Sequence, residues 1–184
     1  MELLEYIKNS KCVIDSIKNA EDEVSQAISV CLGALRKDRK IIFCGNGGSA
    51  ADSQHLAAEF MGRFLLERNP LPAISLTVDT SALTAISNDY GFENVFKRQL
   101  LGVGNKGDVL IGLSTSGNSK NIVAAFKAAK SQGISTIALT GGSNNLLDEF
   151  ADVKIKVNST ETNFIQEAHI VIGHYICMKV EQDL

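Results

Sequence analysis

Residues 40–63 read KIIFCGNGGSAADSQHLAAEFMGR. The first part, residues 41–44, is a short apolar run typical of a buried strand. The glycine-rich residues 45–48 permit tight backbone turns that a side chain would block, and Ser49 is placed to cap a helix over residues 50–61. Free backbone N–H groups and the positive end of the helix dipole converge after the strand, so this stretch predicts an anion-binding site.

The same helix carries two side chains suited to acid–base chemistry or metal binding. His55 and Glu59 are four residues apart, about one helical turn, so both point in the same direction. Such a pair can ligate a metal ion or transfer a proton, but taken alone it is more often a surface hydrogen bond. Its position just beyond a predicted anion site favours a function. Arg63 follows, as a surface charge or as a further contact to the anion.

Composition limits the classes of protein to which the chain can belong. Its 184 residues suffice for one domain, 1–184, with a substantial core. A net charge of −3 argues against nucleic acid as a partner. No apolar run reaches the length of a membrane span, and the N-terminus lacks the apolar segment of a signal peptide. We therefore expect a cytoplasmic protein without a membrane partner. Its four cysteines lack CxxC spacing and are expected to be buried thiols.

Strand and helix patterns alternate along the chain, and this predicts the fold class. We divide the domain into N-terminal helices (1–36), an α/β core (37–160) and a C-terminal helix (161–184). Further strands are predicted at residues 73–78, 108–113, 134–139 and 152–157. Alternating strands and helices form parallel sheets with helices on both faces. The prediction is an α/β fold with a doubly wound parallel five-stranded sheet flanked by helices, in which ligands bind at the carboxyl ends of the strands.

A second polar loop, STSGNS at residues 114–119, follows the third strand. It offers four hydroxyls, from Ser114, Thr115, Ser116 and Ser119, and contains no lysine. It therefore lacks the Walker pattern, and the first loop lacks GxGxxG spacing, so binding of nucleotides is disfavoured. A hydroxyl-rich loop without a cation suits a sugar phosphate. The alternative is a turn that only caps the following helix.

The C-terminal helix is apolar on nearly every side. A helix of this kind must be buried all round, which predicts a homo-oligomer whose N- and C-terminal helices pack across subunits. Four polar side chains, Gln166, Glu167, His169 and His174, lie in its apolar stretch. Polar groups are costly in such surroundings unless they are satisfied, so the cluster suggests a site. Asn88 and Asp89 fall in a predicted turn, which is either a solvated Asx turn or part of that site.

Four segments together resemble one known family. Residues 44–63, 78–100, 114–119 and 165–174 resemble the phosphoheptose isomerases, which belong to the sugar isomerase (SIS) domain proteins, and they occur in the family's order. The resemblance extends from about residue 20 to the C-terminus. It implies the SIS fold and a cytoplasmic homotetramer. It also implies conversion of sedoheptulose 7-phosphate to D-glycero-D-manno-heptose 7-phosphate through an enediol, on the route to the heptose of lipopolysaccharide or capsule.

The resemblance also implies roles for individual residues. The matched substrate-binding positions are Asn46, Gly47, Gly48, Ser49, Glu59, Asn88, Asp89, Ser114, Thr115, Ser116, Ser119 and Gln166. Glu59 matches the base of the family and His174 its acid. Members that bind zinc use the positions of His55, Glu59, Gln166 and His174. One position departs from the pattern, since Phe164 stands where the family usually has an arginine that contacts the phosphate or the sugar.

Helix geometry constrains this site. Gln166 and His174 are eight residues apart, which on a straight helix is roughly 12 Å of rise and about 80° of rotation. Both side chains cannot easily reach one small ion from the same regular helix, so either the helix start is distorted or one side chain comes from a neighbouring subunit, and we predict an active site shared between subunits. Two alternative functions remain: a non-catalytic tetrameric SIS binding module that associates with a replication initiator, and an isomerase or etherase of another sugar phosphate. The joint presence of Glu59, Gln166 and His174 favours the phosphoheptose isomerase.

Overall fold

A parallel sheet of five strands forms the centre of the computed structural model, which describes all 184 residues. The strands are β1 (Ile41–Gly45), β2 (Ala73–Ser75), β3 (Val109–Ser114), β4 (Ser135–Gly141) and β5 (Val153–Val157). They lie in the order β2-β1-β3-β4-β5, and every neighbouring pair is parallel. The predicted five-stranded, doubly wound α/β fold is confirmed.

Seven α-helices flank the sheet. They are α1 (Leu3–Asp15), α2 (Glu21–Leu35), α3 (Gly48–Met61), α4 (Thr80–Tyr90), α5 (Val95–Val103), α6 (Lys120–Gln132) and α7 (Thr162–Asp183). A short 3-10 helix, Ser16–Ala20, separates α1 from α2. The last helix, α7, continues without a break through Gln166 and His174. None of the helices is both long enough and apolar enough to span a membrane.

Both faces of the sheet are covered, which explains why the central strands are apolar at every position. On one face, Ile41 and Phe43 join the core formed with α2, α3 and α7. On the other face, Ile42 and Cys44 join the core formed with α5 and α6. Because α3 and α6 pack on opposite faces and follow neighbouring strands, their N-termini lie on either side of one point at the carboxyl edge of the sheet.

The start of α3 differs from the prediction. The helix begins at Gly48 and has no side-chain cap. Gly47 precedes it with φ 56°, a left-handed conformation that a glycine adopts without strain. Ser49 lies buried in the first turn, so its predicted role as N-cap is wrong. The glycines alone form the turn into the helix, whereas the prediction required Ser49 as the N-cap after them.

Two further local predictions are wrong. Asn88 and Asp89 belong to the last turn of α4 and not to a loop, because the helix continues to Tyr90 and ends where Gly91 takes φ 83°. A glycine with positive φ is a common way to end a helix. Cys12 is exposed, whereas the other three cysteines are buried as expected, and all four are free thiols.

Candidate active site

The two polar loops lie side by side at the carboxyl ends of β1 and β3. Gly45 is paired in register with Leu113, so the loops leave the sheet at the same level. Asn46 in the first loop and Asn121 in α6 exchange two amide hydrogen bonds of 2.9 and 2.8 Å, which join the loops directly. In the strand order 2-1-3-4-5, β2 is added on one side of β1 and the later strands on the other, so the strand order reverses between β1 and β3. This is the switch point where ligands of open α/β sheets bind.

A crevice of about 300 Å³ lies at this point. It is lined by Asn46, Phe92, Glu93, Ser119, Lys120 and Asn121. Lys120 is exposed and begins α6 immediately after the hydroxyl-rich loop. The loop itself contains no cation, as expected, but Lys120 directly after it supplies one to the lining of the crevice. An ammonium group beside a helix N-terminus strengthens the attraction for an anion.

The hydroxyls of residues 114–119 shape their own loop and do not cap α6. Ser114 Oγ accepts a hydrogen bond of 3.1 Å from the N–H of Gly117 and lies 3.2 Å from Ser119 Oγ. Ser116 Oγ accepts a bond of 3.2 Å from the N–H of Asn118. Ser119 precedes α6, but its side chain makes no capping hydrogen bond. The N–H of Ile122 is satisfied by the Ser119 carbonyl and by Asn121 Oδ1, whereas those of Lys120 and Asn121 remain available to an anion, which disfavours a role of this loop as a cap alone.

His55, Glu59 and His174 lie together where α3 packs against α7. The Nε2 atoms of His55 and His174 are 2.8 Å apart. His55 Nε2 is also 3.4 Å from Glu59 Oε1, so the predicted shared face of His55 and Glu59 is present. The Glu59 side chain retains 21% of its exposed surface. The cluster is therefore open to a small substrate, while His55 contacts both other members.

Gln166 lies at the other end of the same helix pair. A methyl group on Gly48 would lie 2.8 Å from Gln166 Nε2, so the glycine leaves room for the amide to cover the start of α3. Within one chain, Gln166 thus faces the start of α3, and His174 faces its middle. Since α7 is unbroken, the alternative of a distorted helix start is disfavoured.

The donor atoms of this cluster fit zinc in type, and one pair of them also fits in spacing. Ligand atoms about 2.0–2.1 Å from a tetrahedral zinc ion lie roughly 3.3 Å apart. The 3.4 Å between His55 Nε2 and Glu59 Oε1 matches that edge, whereas the 2.8 Å between His55 and His174 is a hydrogen-bond length. No three His, Cys, Asp or Glu side chains of one chain are already arranged as a metal site. Zinc binding therefore requires His174 to move or a further ligand to approach.

Asp52 is a member of the cluster that the sequence analysis missed. Its Oδ2 atom is buried and has no hydrogen-bond partner. Burial raises the pKa of the Asp52 carboxyl above its ordinary value, and the nearby charges of His55 and His174 oppose this rise. Its signal in the sequence is the spacing, since Asp52, His55 and Glu59 fall on one helix face at intervals of three and four residues.

The remaining predicted site residues of α7 do not face this cluster. Glu167 accepts hydrogen bonds of 2.5 Å from Tyr6 Oη and from Ser10 Oγ, and so holds α1 against α7. Phe164 is buried and packs on the Tyr6 ring at 5.0 Å. Of Gln166, Glu167, His169 and His174, only Gln166 and His174 face α3.

Asn88 and Asp89 also lie outside the cluster formed by one chain. Both are exposed at the end of α4. The amide of Asn88 donates a hydrogen bond of 2.8 Å to Asp89 Oδ1, and neither side chain bonds to the two polar loops. Their predicted contact with a sugar thus has no counterpart within one chain.

His169 lies in the core between α7 and β4, as the alternative of a packed histidine predicts. The residue is 0% exposed. It lies beside the Thr140 backbone, but neither ring nitrogen reaches a partner in hydrogen-bond geometry. Burial lowers the pKa of His169 from 6.5 to about 4, and the Thr140 backbone opposes this change only weakly. The folded protein therefore holds this imidazole neutral.

We expect the free energy of unfolding to fall as the pH drops from 6.5 towards 4. Above pH 6.5 His169 is neutral in both states; below it, only the unfolded state takes up the proton readily. With a folded-state pKa of about 4, this difference in proton binding lowers the free energy of unfolding by about 3 kcal/mol. Denaturant unfolding at several pH values measures it, with His169→Leu as the control that lacks this proton. Equal pH slopes for the two proteins would contradict the prediction.

Comparison with known proteins agrees with this geometry. The sequence model of the SIS domain family matches residues 5–141. A phosphoheptose isomerase from Akkermansia muciniphila is 51% identical over 184 residues, which cover 98% of this chain and 97% of that protein. The structure of a phosphoheptose isomerase from Francisella tularensis is similar with a TM-score of 0.94 at 35% identity, covering 100% of both chains. That of a phosphoheptose isomerase from Neisseria gonorrhoeae gives a TM-score of 0.92 at 41% identity, covering 98% of this chain and 97% of that one.

Proposed function

The chain belongs to the phosphoheptose isomerase family of SIS-domain proteins, and we propose that it converts sedoheptulose 7-phosphate to D-glycero-D-manno-heptose 7-phosphate. The observation that carries this assignment is that His55 contacts both Glu59 and His174, with His55 and Glu59 on the helix that begins at the glycine loop. One helix thus presents an anion-binding N-terminus and, about two and three turns later, an imidazole and a carboxylate. Isomerisation of a sugar phosphate needs these groups.

The reaction moves a proton between C1 and C2 of the sugar through an enediol. Glu59 is the carboxylate that removes the proton from carbon, and it is partly exposed to accept it. His174 lies on α7 and moves the proton of the hydroxyl, since an imidazole can both accept and donate a proton. The 2.8 Å contact between His174 and His55 holds the imidazole in place. Zinc, when bound, would polarise the carbonyl of the substrate.

The phosphate of the substrate belongs at the two loops. Ser116 is exposed and Thr115 is half-buried, so their hydroxyls are accessible to a ligand. Ser114 is buried and holds the turn through Gly117. Helix N-termini bind phosphate through free N–H groups, and Lys120 adds a positive charge at the rim of the crevice. These features support a phosphorylated substrate over a neutral sugar.

Turnover of the two candidate substrates tests the assignment. Purified protein incubated with sedoheptulose 7-phosphate should form the aldose, and an amino-sugar phosphate offered under the same conditions should remain unchanged. The open Glu59 cluster favours catalysis over a non-catalytic binding module, which needs no accessible base. Absence of turnover on sedoheptulose 7-phosphate by well-folded protein would refute the assignment.

We further propose that His55, Glu59, Gln166 and His174 hold a zinc ion. The imidazole nitrogens and the carboxylate are ordinary zinc donors, and the spacing of His55 from Glu59 supports this. We expect a chelator to abolish turnover and to lower the melting temperature, and added zinc to restore both. His55→Gln should lower the metal content measured by mass spectrometry. His169→Gln is the matched control, because His169 lies in the core and should not affect the bound metal. Full activity in metal-free protein would exclude zinc.

We propose that the protein is a homotetramer. We also propose that it is cytoplasmic and that its product feeds heptose synthesis for lipopolysaccharide or capsule. Support for assembly comes from the apolar side chains of α1 that are exposed in one chain, Leu3, Leu4 and Ile7. A groove of about 310 Å³ lies between the end of α1, α2 and α7. On α7, Val171 and Tyr175 are also exposed. A helix expected to be buried all round is thus buried on one side only, and a second copy supplies the missing cover.

A further inference from the structure

The segment that follows α3 is held by one carboxylate of α7. Glu181 accepts hydrogen bonds from three consecutive N–H groups, those of Phe64 (2.9 Å), Leu65 (2.7 Å) and Leu66 (2.9 Å). Its side chain is 1% exposed. A buried carboxylate is costly unless its oxygens are satisfied, and here the backbone of residues 64–66 satisfies them. Glu181 therefore fixes the course of this segment.

Arg68 completes the arrangement and extends it to the end of α3. Its Nε donates a bond of 3.0 Å to Glu181 Oε1. Its terminal nitrogens donate to the carbonyls of Glu59 at 2.8 Å and of Phe60 at 2.9 Å. The last carbonyls of a helix have no partner within the helix, so the guanidinium serves as the C-cap of α3. The last turn of α3, which carries Glu59, is thereby tied to α7.

The segment so held places an aromatic ring on the imidazole of His174. The rings of Phe64 and His174 stack at 5.4 Å between centroids with 28° between planes. At the edge of the same ring, His174 Nε2 lies 2.8 Å from His55 Nε2. Glu181 is seven residues beyond His174, so both side chains lie on one stripe of α7 that faces α3. The imidazole is thus held by Phe64 on one face and by His55 at its Nε2 edge.

We propose that Glu181 and Arg68 are positioning residues of the isomerase, which fix Phe64 against His174 and hold Glu59 in register with it. Neither Glu181 nor Arg68 touches the substrate. Each acts through the imidazole and through the end of α3. A catalytic group that moves by about 1 Å can lose about a hundredfold in rate, so a clamp of this kind has a measurable effect on kcat. The inference rests on the proposed isomerase activity for its kinetic part only.

The protein has three histidines, which permits a direct test by NMR. With histidine labelled at Cε1, the spectrum contains three side-chain resonances, and His174→Asn identifies one of them. The face of an aromatic ring shifts the resonance of a stacked imidazole. We expect the His174 resonance to move in Phe64→Leu and in Glu181→Gln, and Phe64→Tyr, which retains the ring, to restore the wild-type position. Glu167→Gln is the matched control, since Glu167 is a carboxylate of the same helix that binds α1 instead.

Kinetics supply the second measurement. In Phe64→Leu and Glu181→Gln we expect kcat to fall about tenfold with KM changed by less than about a factor of 2, because positioning acts on the reacting groups and not on phosphate binding. Phe64→Tyr should recover the rate. A His174 resonance that stays in place in both variants overturns the proposal, as does an unchanged kcat in variants whose resonance has moved. If wild-type protein shows no turnover, the proposed function fails, while the NMR result still decides whether the clamp positions His174.

Discussion

Glu59→Gln should lower kcat for the isomerisation of sedoheptulose 7-phosphate by about a thousandfold. The amide has nearly the same shape as the carboxylate but cannot take a proton from carbon. General acid–base catalysis contributes about 10²–10⁴ to a rate, and loss of the base removes that contribution. Since the interaction is made only in the transition state, KM should change little. The assay follows aldose formation at saturating substrate.

A matched control lies eight residues further along the chain. Glu67 is 91% exposed and faces Arg63 at 3.7 Å, so Glu67→Gln makes the same chemical change outside the cluster and should leave kcat at the wild-type value. Incorporation of solvent deuterium into recovered substrate gives a second reading, because it requires proton removal but not completion of the reaction. Glu59→Gln should lose it as well. If this variant retained a tenth of wild-type turnover, another residue would have to be the base, and Asp52 would be the first to examine.

The elements that position the site can be predicted from sequence because their signals are local. An apolar run, a glycine cluster and a series of helix formers give β1, the first loop and α3 without reference to the rest of the chain. The shared face of His55 and Glu59 follows from their spacing alone. The conformation of Gly47 is also local, but a serine two residues later gave a competing signal for the helix start.

The partners of buried charges cannot be predicted in this way. Arg68 and Glu181 are 113 residues apart in the sequence, and an acidic residue near a C-terminus has the pattern of a solvated surface charge. Likewise, Glu167 and His169 have the same apolar neighbours as Gln166, yet one binds α1 and the other is packed in the core. The side of α7 on which a residue lies decides its role. Which element packs against that side depends on the tertiary fold and cannot be read from the local sequence.

The need for assembly also depends on where each residue lies along α7. Separating the subunits is the change for which we expect the second large loss of activity. In one chain, Gln166 covers Gly48 while His174 contacts His55. The two side chains cannot meet at one ion, because α7 is regular between them. If the complete site needs Gln166 beside His55 and Glu59, then Gln166 must come from a neighbouring subunit. Separated subunits should therefore be folded but inactive.

Leu4→Asp combined with Ile7→Asp should produce that state. Both residues are exposed in one chain and lie on one face of α1, so the charges disturb contact between subunits without disturbing the core. We expect a monomeric mass by light scattering, an unchanged far-ultraviolet circular dichroism spectrum and a loss of turnover of at least about a hundredfold. Leu101→Asp is the control, since Leu101 is an exposed leucine of α5, away from α1 and α7. A monomer with full activity would exclude a shared site.

Mixed oligomers distinguish a shared site from a general need for assembly. Glu59→Gln and Gln166→Ala subunits are each expected to be inactive in homo-oligomers. When they are unfolded together and refolded, a site built from two subunits combines an intact Glu59 from one chain with an intact Gln166 from the other, so part of the activity returns. A site built within one chain always contains one of the two substitutions, and no activity returns. Recovery of activity in the mixture can therefore arise only from a site that takes Glu59 and Gln166 from different chains.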